Sequence, residues 1–194
     1  MRPSRSSCAT APPPTSRGGS RARPSPPPFG STAHYSLLQA IADAGEDPAD
    51  YKLINSEPEQ IAPAWANGDI DAAWIWDPTL SELKKQGGTV ILSSKDTAEA
   101  GKPTYDLGLA STSFIEENPK VLEAWAKAQD YAVEQILDDP DKAAESVAIE
   151  VGVSTDEAKA QFAGLTYLRA ADQAGDDWLG GKKLGTDLLG TAKF

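Results

Sequence analysis

The sequence predicts an α/β chain that becomes wholly helical in its second half. Between residues 29 and 110, short apolar runs alternate with stretches of helical period, each closed by glycine: Gly45, Gly68 and the pair Gly87–Gly88. After Ser111 the apolar residues recur only at helical spacing. Strands joined by helices in a β-α-β-α-β order imply a parallel sheet with right-handed crossovers.

Residues 31–44 read as the first helix, with Leu37, Leu38 and Ile41 on one face and Gly45 as its stop. Tyr51–Asn55 reads as a short strand and Pro58–Asn67 as a second helix closed by Gly68. Ile70–Trp76 is nearly continuous apolar, as expected of a strand covered on both faces. Pro78–Gln86 follows as a third helix, then Thr89–Leu92 and Tyr105–Ala110 as strands. Asn118–Pro119 opens a long helix reaching Leu137, with the proline in a first turn where its missing N–H costs nothing. Val121, Leu122, Trp125, Ala128, Ala132, Val133 and Ile136 form its apolar stripe. Pro140 starts another helix, and Ser154–Glu157 is a capping signal before Ala158–Phe162. Thr186–Phe194 reads as a helix that stops while still apolar, so truncation at both ends is the expectation.

Residues 1–28 differ in kind. They hold eight of the 15 prolines, five arginines and no hydrophobic period, a composition that cannot bury enough apolar area to order itself. A disordered tail is expected. A sharper reading, left open by the residues, is translation in a shifted frame: Arg21–Pro27 can be encoded so that another frame reads Gly-Lys-Ala-Val-Ala-Thr-Pro, a sensible strand leading into Phe29.

The residue inventory excludes several functions. The net charge is −11, and the first 30 residues carry five arginines and no acid, leaving 13 basic against 29 acidic residues in the rest. Such a surface repels phosphate backbones, so no nucleic-acid partner is expected. There is no apolar run long enough to span a membrane. One cysteine, Cys8, permits no intramolecular disulfide, and the stretch before it lacks the apolar character of a signal peptide. With His34 as the only histidine, neither a nucleophilic triad nor a histidine-cysteine metal site can be assembled, and no phosphate-cradling glycine motif occurs. No catalytic residue, metal or cofactor is expected.

Pro28–Leu38 and Ala64–Pro78 resemble the taurine and aliphatic-sulfonate receptors of ABC importers, and Pro103–Asp106, Phe114–Pro119 and Thr166–Leu168 keep the same order and spacing. The resemblance covers roughly residues 28–194. It implies a type II periplasmic-binding fold, with residues 29–110 as one α/β ligand-binding lobe and 111–194 as a helical return segment packing on the other lobe, half of which has no counterpart here. It also implies a monomer in an extracytoplasmic compartment, with a membrane permease as partner and a small anionic or zwitterionic ligand.

The chemistry of the matched residues agrees with that ligand. Gly30, Ser31 and Thr32 stand where a strand would hand over to a helix, whose N-terminus presents free N–H groups and partial positive charge to a sulfonate. The plainer reading is an ordinary N-cap. Asp106 is the candidate partner for taurine's ammonium group, and Trp74, Trp76 and Tyr105 are candidate aromatic walls, although a Trp in a buried strand is more often core. Trp74 and Trp76 should share one face of their strand. Asp77, at the carboxyl edge of that strand, departs from the alanine that taurine receptors tend to have and resembles the broader alkanesulfonate and nitrate relatives. His34, a turn inside the first helix, is expected to be packed or exposed rather than ligating. Thiamine-precursor synthases resemble the same receptors but need a histidine and a cysteine near the cleft, so an enzyme is the less favoured reading. A third is a non-functional fragment, which would fold poorly and bind weakly.

Overall fold

The computed structural model of the chain describes residues 2–3, 8–11 and 26–193. It resolves two compact units, an α/β unit within residues 3–104 and a helical unit within 105–193. The strands are β1 (Arg2–Pro3), β2 (Cys8–Ala11), β3 (Ala73–Ile75), β4 (Thr89–Ser93) and β5 (Tyr105–Asp106). The division falls before Tyr105, so β5 belongs with the helices that follow rather than with the lobe expected to end at Ala110.

In the α/β unit the helices are α1 (Thr32–Asp43), α2 (Pro58–Asn67), α3 (Thr79–Lys85) and α4 (Ser94–Glu99). The first three match the predicted ones within two residues. Helix α4 was not anticipated; Ser93 caps it through a capping box with Asp96, a short polar signal within the strand-to-loop stretch. The sheet has the order β3-β2-β4, with β2 antiparallel to both neighbours: Ala9 stands opposite Trp74 on one side and Leu92 on the other. This corrects the expected parallel sheet. The connection through α3 keeps β3 and β4 in the same sense, but they lie one strand apart, and β2 fills the gap.

That arrangement also corrects the expectation of a wholly disordered tail. Cys8–Ala11 has little intrinsic strand preference, yet it lies between two strands whose facing N–H and C=O groups would otherwise go unpaired. Residues 4–7 and 12–25, including most of the stretch on which the shifted-frame reading rests, lie outside the described residues. Pro26 and Pro27 are fully buried.

Tyr51–Asn55 does not form the predicted strand; Leu53 alone makes an isolated bridge. The segment runs instead beside Pro27–Phe29, with Ser56 N donating to Pro27 O (3.4 Å) and Phe29 N to Asn55 Oδ1 (2.7 Å). Three successive prolines at 26–28 have no N–H to give, so a regular ladder cannot develop there.

Strand β3 carries the core. Its alternation sends Ile75 into a cluster with Ile61, Trp65, Leu80 and Leu83, and Trp74 into a second cluster with Ala33, Leu37 and Ile41 of α1. Trp76, just beyond the strand, packs against both.

The helical unit contains α5 (Thr112–Glu117), α6 (Pro119–Asp138), α7 (Pro140–Val151), α8 (Thr155–Phe162), α9 (Ala170–Gln173) and α10 (Lys183–Thr191). Pro119 opens α6 and Pro140 opens α7 as predicted, and Ser154 with Glu157 forms the predicted capping box of α8. The buried cluster here is small: Ala144, Ala148 and Ala158, with Val147, Val153 and Phe162 around it. Of the predicted α6 stripe only Val133 is buried. Arg169 adds a polar fastening, bonding both carboxylate oxygens of Asp130 (2.8 Å each) and Glu134 (2.7 Å).

Candidate ligand-binding site

The Gly30–Thr32 turn opens α1. Gly30 has φ +73°, the left-handed region that an L side chain rarely adopts, and this turns Phe29 back before the helix begins. The Ser31 hydroxyl donates to Pro28 O and accepts from His34 N (3.2 Å), so it is fully committed as an N-cap. The N–H groups of Thr32 and Ala33 bond to no other described residue. These are the donors that a helix N-terminus leaves for an anion. His34 stacks on Phe29, with ring centroids 4.3 Å apart, and burial lowers its pKa below the ordinary value. No basic side chain stands among the candidate positions, so an anion here would be met by backbone dipoles.

Of the two tryptophans, Trp74 is 1% exposed and its ring belongs to the core against α1. That is the plainer of the two roles considered for it, and it removes Trp74 from the exposed walls. Its indole Nε1 is buried with no hydrogen-bond partner among the described residues. Trp76 is half-buried and borders a surface groove of about 650 Å³ between α2 and α3, with Pro58, Ala62, Pro63, Pro78 and Glu82 among the other lining residues. Asp77 accepts hydrogen bonds from the backbone N (3.1 Å) and the hydroxyl of Ser81. It thus secures the first turn of α3. No local pattern singles out Ser81 as the partner, although an acidic side chain ahead of a helix is a familiar cap.

Tyr105 and Asp106 lie on β5, in the helical unit. Asp106 is exposed and Tyr105 half-buried. The Tyr105 hydroxyl donates to Asp187 Oδ2 on α10, and the same oxygen takes the ammonium of Lys183 (2.8 Å). Burial, then the carboxylate, raises the Tyr105 pKa; the hydrogen bonds from Lys183 and Tyr105 hold that of Asp187 down against its desolvation. Asp187 is 82 residues from Tyr105, and the only local hint of its importance is the Lys183–Asp187 pair one helical turn apart. The structure therefore groups Gly30, Ser31, Thr32, Trp74, Trp76 and Asp77 on one unit, and Tyr105 and Asp106 on the other. Among the described residues no group of three or more His, Cys, Asp or Glu side chains is arranged to hold a metal ion. No helix among them is long and apolar enough to cross a membrane.

Solved structures agree on the fold. The periplasmic aliphatic sulphonate binding protein SsuA from Escherichia coli superposes with a TM-score of 0.72 at 18% identity, covering 99% of this chain and 66% of that one. The alkanesulfonate-binding protein SsuA from Xanthomonas axonopodis pv. citri, bound to MOPS, gives 0.62 at 19% identity over 94% of this chain and 65% of that one. The fold is that of the type II periplasmic-binding proteins. Residues 28–143 match the family described as NMT1/THI5 like, and the chain belongs to it. The taurine-binding periplasmic protein of Escherichia coli (strain K12) is 38% identical over 114 residues, which are 59% of this chain and 35% of that protein. The chain thus spans about a third of the length of that relative.

Proposed function

We propose that this chain supplies the ligand-binding part of a solute receptor for an ABC importer, acting outside the cytoplasm, and that its ligand is taurine or a closely related alkanesulfonate. The observation that carries this reading is the 38% identity with a taurine-binding periplasmic protein over 114 residues. The site chemistry supports it. Taurine is a zwitterion with a three-oxygen anion at one end and an ammonium at the other. The unbonded N–H groups of Thr32 and Ala33, in the positive field of α1, suit the sulfonate. By its charge Asp106 suits an ammonium, and Trp76 and Tyr105 are the aromatic candidates for a cation. Ser31 acts one step back, as the cap of α1, while Asp77 fixes the first turn of α3 next to Trp76.

On this reading the protein does no chemistry. It captures the ligand and presents it to permease subunits in the membrane, and residues 111–194 form a helical return segment that packs on the other lobe. Calorimetric titration of the full chain with taurine and with ethanesulfonate, which lacks the ammonium, tests the assignment. Taurine should bind saturably and more tightly, and Asp106→Asn should weaken taurine at least about tenfold while leaving ethanesulfonate unchanged. Equal losses for the two ligands would remove Asp106 from the ammonium site, and the absence of binding by either would sink the receptor assignment.

A further inference from the structure

Tyr105 is tied across 82 residues of sequence to a carboxylate on the last helix, and that tie has a consequence for ligand selection. Its phenolic hydrogen is given to Asp187, so the hydroxyl cannot also donate to an anionic ligand; what Tyr105 has left to offer is its ring and the acceptor side of its oxygen, both suited to a cation. The side chain of Asp187 is only 17% exposed, and its Oδ2 receives both the Tyr105 hydroxyl and the Lys183 ammonium. Lys183 balances the carboxylate charge one turn away on α10, which keeps Asp187 ionised and able to hold the phenol. A tyrosine whose hydroxyl is bonded to a carboxylate has a more electron-rich ring, the better face for a cation.

We propose that Asp187 is the positioning residue for Tyr105, orienting its ring toward the ammonium of a zwitterionic sulfonate, so that affinity for taurine depends on the anchoring of α10. This rests on the receptor reading above. It makes the carboxyl-terminal helix a determinant of which sulfonates are held, although no residue of α10 touches the ligand in the proposal.

The test combines two measurements on the full chain and on the variants Asp187→Asn, Tyr105→Phe and their double. The first is the ultraviolet titration of the Tyr105 phenol, isolated as the difference between each protein and its Tyr105→Phe counterpart. The tie is expected to keep Tyr105 from ionising until well above the ordinary range, and Asp187→Asn to bring that ionisation down by about one pH unit or more. The second is calorimetric affinity for taurine and ethanesulfonate. Each single variant should weaken taurine about tenfold and ethanesulfonate much less, and the double should be no weaker than either single, because both break the same bond. Tyr105→Phe keeps the ring and removes the bond from the other end, so it serves if Asp187→Asn fails to fold. An unchanged ionisation in Asp187→Asn would show that the tie is not made in solution and overturn the proposal. A lowered ionisation with taurine affinity unchanged would make the tie purely structural, and additive losses would assign the two residues separate roles; either result also overturns it. A wild-type chain that binds no sulfonate would fail the receptor reading, and the positioning role with it, whatever the phenol does.

Discussion

In the α/β unit Trp74, Ile61, Ile75 and Leu83 are each less than 2% exposed, whereas in the helical unit Trp125, Tyr131, Ile149 and Leu109 are 50%, 60%, 84% and 92% exposed. Both units are supplied with large apolar side chains; the difference is what covers them. Strand β3 has α1 on one side and α2 with α3 on the other, so both of its faces are closed. In the helical unit the buried cluster is built on three alanines where α7 meets α8, and the stripe of α6 is covered only around Val133. Beside that stripe a groove of about 420 Å³ is lined by Leu109, Phe114, Val121, Leu122 and Trp125. The first unit thus has a two-sided apolar core, whereas in the second a small buried cluster is supplemented by caps and ion pairs.

The comparison is most directly broken by removing one tryptophan from each unit. Trp74→Ala should cost about 3–5 kcal/mol in urea unfolding, the range for deleting a buried aromatic side chain. Trp125→Ala should cost less than about 1 kcal/mol, because half of its ring is already in water. Similar losses would mean that Trp125 is covered in solution by something absent from this fold. Trp74→Phe sharpens the point. The indole N–H of Trp74 is buried without a partner among the described residues, and an unmet N–H costs about 1–3 kcal/mol. Phenylalanine gives up some ring area but relieves that cost, so Trp74→Phe should stay within about 1.5 kcal/mol of the wild type. A loss as large as that of Trp74→Ala would show that the N–H is satisfied.

Legibility in the sequence followed the range of the forces involved. Helices α1, α2, α6, α7 and α8 were readable because their signals are local: a period of apolar residues, Pro119 or Pro140 in a first turn, Gly45 or Gly68 in the left-handed conformation at the end. The sheet was misread because β2 owes its existence to two partners more than 60 residues away, and nothing in Cys8–Ala11 itself announces a strand. Tyr51–Asn55 failed for the converse reason, its own residues being suited to a strand while the facing prolines are not. At the candidate site, Ser31 was legible as a cap but the commitment of its hydroxyl was not. Ser81 beneath Asp77 and Asp187 beneath Tyr105 were invisible, since a hydrogen bond between distant or irregularly spaced side chains leaves no period to read.

A cap tests the second half of the comparison at smaller scale. Ser154 accepts from Glu157 N (3.3 Å) and donates its own N–H to Glu157 Oε2 (2.9 Å), closing the first turn of α8 reciprocally. Ser154→Ala should cost about 1 kcal/mol. In hydrogen exchange the loss should open α8 and the neighbouring α7 while leaving β3 and α1 protected. Ser154→Asp, which keeps an acceptor at the cap, should restore most of that protection. Equal loosening of both units would mean that they unfold as one, and the separate accounting of their stability would fail.

The smallest expected effect is the acid response of the Arg169 fastening. Hydrogen bonds from Arg169, and then from Ala170 N, pull the Asp130 carboxyl from its ordinary value near 3.8 down to about 2. A carboxylate whose folded pKa lies below its unfolded one contributes stability that is complete above the unfolded value and disappears as the pH falls through the folded one. The contribution of Asp130 should therefore be present at pH 5 and be lost between about pH 4 and pH 2. Arg169 is partly exposed, so the effect should also shrink in 1 M salt (an approximate Debye length of 3 Å). Melting temperature followed by circular dichroism across that window should fall more steeply for the wild type than for Arg169→Gln, whose Asp130 has lost its bidentate partner. The two curves should draw together as the pH approaches 2 and converge below it, where Asp130 is protonated in both proteins. Parallel curves throughout would show that the fastening contributes nothing in solution, leaving α7, α8 and their alanine contacts to hold the helical unit together.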